Sequence, residues 1–178
     1  MCKAHSKCPS QGCALHMMGY PKWKHNYRLF FDLIYPDIEF DTFNDGDEWK
    51  EFYGDATKDI PTNAPDPRGK SVDLRMWFDS DHAGEKVTRR SHTGYFIFLN
   101  TALMNWPSNK QAIIEGSVFG AEFVAMKTGV EALRCIRYKL RIMGVPLTGL
   151  TYVYGDNMSI IYNTSRPEST LKKKRNSI

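Results

Sequence analysis

Hydrophobic and polar residues alternate most cleanly at residues 72–84, in VDLRMWFDSDHAG. Val72, Leu74, Met76 and Phe78 would point one way, and Asp73, Arg75 and Trp77 the other. Period two predicts a β-strand with one face buried. The alternation stops at Asp79-Ser80-Asp81. Residues 94–99 are rich in aromatic and β-branched side chains and predict a second strand. Asn100-Thr101 reads as a turn, and residues 102–106 as a third strand. Three strands with tight connections predict an antiparallel meander. After Ser117 the period lengthens: Ala121, Ala125, Gly129, Ala132, Ile136, Leu140 and Met143 recur every three or four residues. Ser117 suits the N-cap of this helix. Gly144 and Pro146 suit its end. The small residues near its start would let it lie close to a sheet. Residues 152–154 predict a fourth short strand, and a helix begins at once with Met158, Ile160, Ile161 and Tyr162.

The first third of the chain is patterned differently. Residues 1–35 carry Cys2, His5, Cys8, Cys13 and His16, all potential metal ligands. Their spacing is not that of a zinc finger or ribbon. No zinc site is expected, and residues 1–13 are expected to pack poorly. Residues 14–20 read as the end of a helix broken at Pro21, and residues 27–31 as a short strand. From Pro36 to Ile60 there are nine acidic residues and two lysines, followed by Pro61, Pro65 and Pro67. Such a stretch predicts an irregular, solvated connector over residues 36–70. Phe40, Phe43, Trp49, Phe52 and Tyr53 suggest that it packs on something. The main domain is therefore expected at residues 71–178.

A chain of 178 residues with 42% hydrophobic content can build one globular domain plus an appendage. The net charge of +4 permits a nucleic-acid partner without requiring one. Cys2, Cys8, Cys13 and Cys135 suggest no disulfide framework, so a reducing, intracellular setting is expected. No apolar run approaches transmembrane length, and the start lacks a secretory hydrophobic region, so no membrane partner is expected.

Acidic residues recur where burial is predicted. Asp79 stands at the end of the first strand with Asp81 nearby, Glu122 beside the apolar stripe of the helix, and Asp156 at the end of the fourth strand. Carboxylates are expensive to bury without a partner. Each also has a plain structural reading. Asp79 and Asp81 could cap a turn before Gly84. Glu122 could be a helix-start charge favoured by the macrodipole. Asp156 could form an Asx turn or N-cap. Arg89, Arg90 and Lys110 read as solvated charges.

The order of elements, three strands, helix, strand, helix, with acids at those three places, resembles the ribonuclease H fold. The local strings are more specific. FDSDHAGEKVTRRSHTGYFIFLN resembles the Asp-x-Asp-x-Ala-Gly, Arg-Arg-Ser and Gly-Tyr motifs of copia-type LTR retrotransposon Pol polyproteins. NWPSNKQ, SVFGAEFVAMKTGVEALR and YGDNMSII are similar to that family's Ser-Trp-x-Ser-x-Lys-Gln, Ser-Thr-Glu-Ala-Glu-Tyr and Asp-Asn-x-Ser-Ala-Ile motifs. The resemblance covers residues 72–178. It extends more weakly to MGYPKWKHNYRLFFD, similar to the connection from reverse transcriptase. It implies an α/β, ribonuclease H-like domain that cuts the RNA of RNA–DNA hybrids, next to the reverse transcriptase domain of one polyprotein. It also implies two Mg2+ ions about 4 Å apart, held by Asp79, which bridges both, and by Glu122 and Asp156. Asp81 matches a family position but is not expected to ligate, since it should have left the strand. There are departures. The family's fifth strand and acid-bearing last helix would come after Ile178, so weak activity is expected of this chain. Gly120 replaces the first Glu of the helix motif. The run Lys172-Lys173-Lys174-Arg175 reads as a nuclear-localisation or nucleic-acid patch, or as a solvated helix end. An inactive polyprotein remnant and a non-cleaving hybrid-binding module are the alternatives.

Overall fold

The computed structural model of the protein describes residues 62–165, together with Ile34 and Gly54. The amino-terminal helix and strand, the Cys and His set, most of the acidic connector and the run at residues 172–175 lie outside the described residues. The elements are β1 (Leu74–Asp81), β2 (His92–Leu99), β3 (Ala102–Asn105), β4 (Ser108–Lys110), α1 (Val118–Ile142), β5 (Tyr152–Tyr154) and α2 (Met158–Ser165). The sheet order is β3-β2-β1-β5, with β4 also on β2. β1 and β2 pair antiparallel from Leu74↔Leu99 to Asp81↔His92. β5 joins the other edge of β1 in parallel, Arg75↔Tyr152 to Trp77↔Tyr154, and α1 supplies the crossover that a parallel pair needs. Five strands and two helices make a mixed α/β domain, compatible with a ribonuclease H-like fold.

The expected meander is present, with two corrections. First, the third strand is two pieces, not one. β3 and β4 both pair with β2, separated by Trp106-Pro107. Proline has no N–H to give a ladder, so it interrupts a strand that the pattern had ended at Trp106. The ladder also shifts register between Ile97 and Phe98. β4 is thus a strand the pattern missed. Second, β1 does not stop at Asp79. It runs through Asp81 because β2 pairs with it as far as His92. Its polar face is not simply solvated either. Asp73 and Arg75 are buried, and the Arg75 Nε donates to Asp73 Oδ2 at 2.5 Å. Pairing is what makes two such buried charges tolerable.

α1 packs its small-residue face on β1 and β2. Ser117 caps it, its Oγ accepting from the Gly120 N–H at 3.1 Å. Phe119, Ala121, Ala125, Gly129 and Leu133 are buried. At Gly129 the helix comes so close to β1 that an added Cβ would lie 2.7 Å from the Met76 Sδ. Leu74, Met76, Phe78, Tyr95 and Ile97 from the sheet meet Phe119, Ala125, Leu133 and Ile160 in one core. Ala132, Ile136 and Leu140 lie at its margin. Met143, expected in the stripe, is exposed, because it is the C-cap and the backbone turns away at Gly144 with φ +72°.

Candidate functional site

The outer ends of β1 and β5 and the start of α1 carry the three acids singled out from sequence. Asp79 lies opposite Gly94 in the ladder and is exposed. Its Oδ1 accepts from the Ser80 N–H at 2.7 Å. That bond is local and the strand continues past it, so Asp79 does not cap a turn. Trp77, Asp79 and Asp81 alternate along β1 and line an open cleft of about 370 Å³ with Phe96, Trp106 and Ser108. Trp77 stacks on Tyr154 with ring centroids 4.7 Å apart, which ties this end of β1 to β5. Asp81, expected beyond the strand, is inside it. Its Oδ2 lies 3.9 Å from the His92 Nδ1. Its carboxylate lies in the space a Cβ at Gly84 would occupy.

Glu122 is the buried member, at 7% exposure. It stands past the first turn of α1, which contains no acid, so it is not a helix-start charge. Its Oε2 has no hydrogen-bond partner among the described residues. Burial pushes its carboxyl above the usual range. A hydrogen bond with the Asn157 side chain works against this, the charges of Asp156 and Asp79 push further up, and His82 pulls back. Both other acids therefore act on Glu122. Among the described residues, however, no three Asp, Glu, His or Cys side chains stand together closely enough to hold one metal ion. The carboxylates share a neighbourhood and do not close on one point.

Asp156 follows β5 and Gly155 and is exposed. The cap of α2 is Asn157 instead. Its Oδ1 accepts from the Ser159 N–H at 2.9 Å, and its carbonyl accepts from Ile160 and Ile161. Asp156 is thereby left free of a capping role. Magnesium prefers hard oxygen donors, and a buried carboxylate oxygen lacking a donor, with two carboxylates acting on it, fits that chemistry.

Three contributors were not singled out from sequence. His82 and Asn157 both act on Glu122. Gln111 is buried, its Nε2 donating to Thr93 Oγ1 at 3.0 Å and to the Ala121 carbonyl at 2.8 Å. It joins β2 to the residue before Glu122. All three sit inside the quoted motif strings, but only the fold shows which atoms they touch. Lys110, read as solvated, is exposed and also pairs with Glu85 at 2.5 Å.

A mixed α/β domain with carboxylates at the ends of adjacent strands is the class defined so far. No family model matches the chain, and no solved structure matches it. Among the curated proteins that do match, two align over 100 residues each. The Retrovirus-related Pol polyprotein from transposon RE1 of Arabidopsis thaliana is 28% identical. That from transposon RE2 of the same plant is 27% identical. Each match covers 56% of this chain and 7% of the relative, so the chain spans a small part of these relatives' length. The likeness supports a domain derived from a retrotransposon polyprotein. No helix among the described residues is long and apolar enough to cross a membrane.

Proposed function

We propose that this chain is a copia-type ribonuclease H-like domain that hydrolyses the RNA strand of RNA–DNA hybrids, alongside the reverse transcriptase of the same polyprotein. The observation that carries this reading is Glu122, a buried carboxylate with an unpartnered oxygen on which Asp79 and Asp156 both act. Asp79, Glu122 and Asp156 would hold Mg2+. When bound, the ions supply an activated water and stabilise the leaving oxygen. The chain's own residues prepare the site. Gln111 fixes the start of α1 against β2, Asn157 engages Glu122, and the Trp77–Tyr154 stack sets β5 beside β1.

A non-cleaving remnant that still binds hybrid is the second reading. It is favoured by one observation, that the carboxylates do not group round one point. A labelled RNA–DNA hybrid assayed with increasing Mg2+ separates the two. Cleavage that falls at least about a hundredfold in Asp79→Asn supports the enzyme, because a neutral amide would not hold a divalent cation as a carboxylate would. Cleavage equal to wild type in that variant means the site is wrongly assigned. Binding without any cleavage by the wild type leaves the second reading. Independently of activity, Mg2+ should raise the melting temperature, by mass action on the folded state, and should do so less in Glu122→Gln.

A further inference from the structure

The turn between β1 and β2 concentrates positive charge directly beyond the acids. β1 ends at Asp81 opposite His92, so the connection starts two residues past Asp79, roughly 7 Å along the strand. It is built, not loose. The Ala83 N–H donates to Ser91 Oγ at 3.0 Å. Glu85 and Arg90 bond through the backbone at 3.2 Å, and the Arg89 N–H donates to the Glu85 carbonyl at 2.8 Å. Arg89 has φ +57°, a conformation L residues adopt only at a cost. The turn's one carboxylate, Glu85, is already engaged. Lys110 and the Thr88 hydroxyl both bond it and hold its carboxyl below the usual range, Lys110 the more strongly.

That leaves Lys86, Arg89 and Arg90 with no carboxylate partner among the described residues. Lys86 and Arg89 are exposed. Arg90 is half-buried, and its Nε is shielded from water with no hydrogen-bond partner among the described residues. A shielded guanidinium N–H without an acceptor is costly. With Nε turned inward, the two Nη groups of the planar guanidinium remain to match two oxygens of one phosphate. We propose that the turn of residues 85–90 is a phosphate clamp for a nucleic-acid backbone, with Arg90 as its anchor and Lys86 and Arg89 on neighbouring phosphates. It rests on the nucleic-acid reading above and gives that site its backbone-holding half. The division follows from charge: bare carboxylates repel phosphates, so a strand reaching Asp79 needs cations close by.

The test uses the full chain and a fluorescein-labelled RNA–DNA hybrid, read by anisotropy in EDTA between about 50 and 200 mM KCl. One variant replaces Lys86, Arg89 and Arg90 by Gln. A control removes the same charge from α1, at Lys127, Arg134 and Lys139. Arg90→Gln alone serves if the triple variant melts early. The turn variants should lose affinity, about tenfold or more for the triple. The salt slope of log K should fall by about 0.7–0.9 for each phosphate released. The control should bind nearly as wild type. Equal loss in the control, unchanged binding in the turn variants, or competition by polyglutamate as strong as by unlabelled hybrid overturns the clamp. So does a wild-type chain that fails to bind hybrid at low salt. Cleavage measured in parallel separates the two proposals. A chain that binds through the turn without cutting keeps the clamp and sinks the nuclease. A chain that cuts while the turn variants bind normally does the reverse.

Discussion

Glu122 carries an energetic penalty that its neighbours only partly offset. Burial raises its carboxyl above the ordinary value, and Asp156 and Asp79 add to that. In the folded protein it therefore holds its proton to higher pH than in the unfolded chain. Below the unfolded value both states are protonated and the penalty vanishes. As pH rises through the raised folded value the unfolded chain has already released its proton, so stability falls. Glu122→Gln should raise the melting temperature of the metal-free protein at pH 7, and the gain should shrink as pH drops towards 4. A gain that grows on acidification would contradict this account. Asn157 should matter less, because it opposes the burial effect only in part.

β5 and α2 meet at a junction set by a glycine. A Cβ at Gly155 would be driven into the Phe78 ring, with Cε1 at 2.7 Å. Phe78 is 7% exposed and part of the core, so it has little room to retreat. Overpacking a tight core costs about 1–3 kcal/mol. Gly155→Ala should therefore lower stability by about that much in urea unfolding, and it should displace the adjacent Asp156. Gly129 makes the useful contrast within α1. There the facing atoms are the Sδ and Cε of Met76, the far end of a flexible side chain, and alanine gains up to about 1 kcal/mol of helix propensity. If Gly155→Ala proves as stable as wild type, the ring does not hold this junction.

Across the whole domain, protection should follow the sheet order. β1 is paired on both edges and roofed by α1, while among the described residues β3 and β4 pair only with β2 and β5 only with β1. Amide exchange followed by NMR should be slowest in β1 and the facing part of β2, and fastest in β4 and β5. Exchange in β5 outlasting that in β1 would mean that the sheet order does not rank local stability. The carboxylates would then sit at the frayed ends of elements whose centres are firm, where side chains can adjust to a bound cation without unfolding the core.

Much of this was legible from local pattern. Period two located β1, aromatic and β-branched composition located β2, and period 3.6 with Ser117 and Gly144 bounded α1, because those signals arise from backbone geometry and side-chain shape that neighbouring residues share. The acids were conspicuous because their types conflict with predicted burial. What only tertiary structure decided depends on partners far along the chain. Pairing with His92 keeps Asp81 in β1, and Pro107 splits the third strand against β2. The cap of α2 falls to Asn157 and not to Asp156. Glu122 is buried near groups from two other segments, Asp79 and His82 at the end of β1 and the Asp156-Asn157 pair after β5. The engagement of Glu85 by Lys110, twenty-five residues later, is what leaves the arginines of its own turn uncompensated. Each of these is settled by distance in space and by desolvation, and neither is encoded in the spacing of residues along the chain.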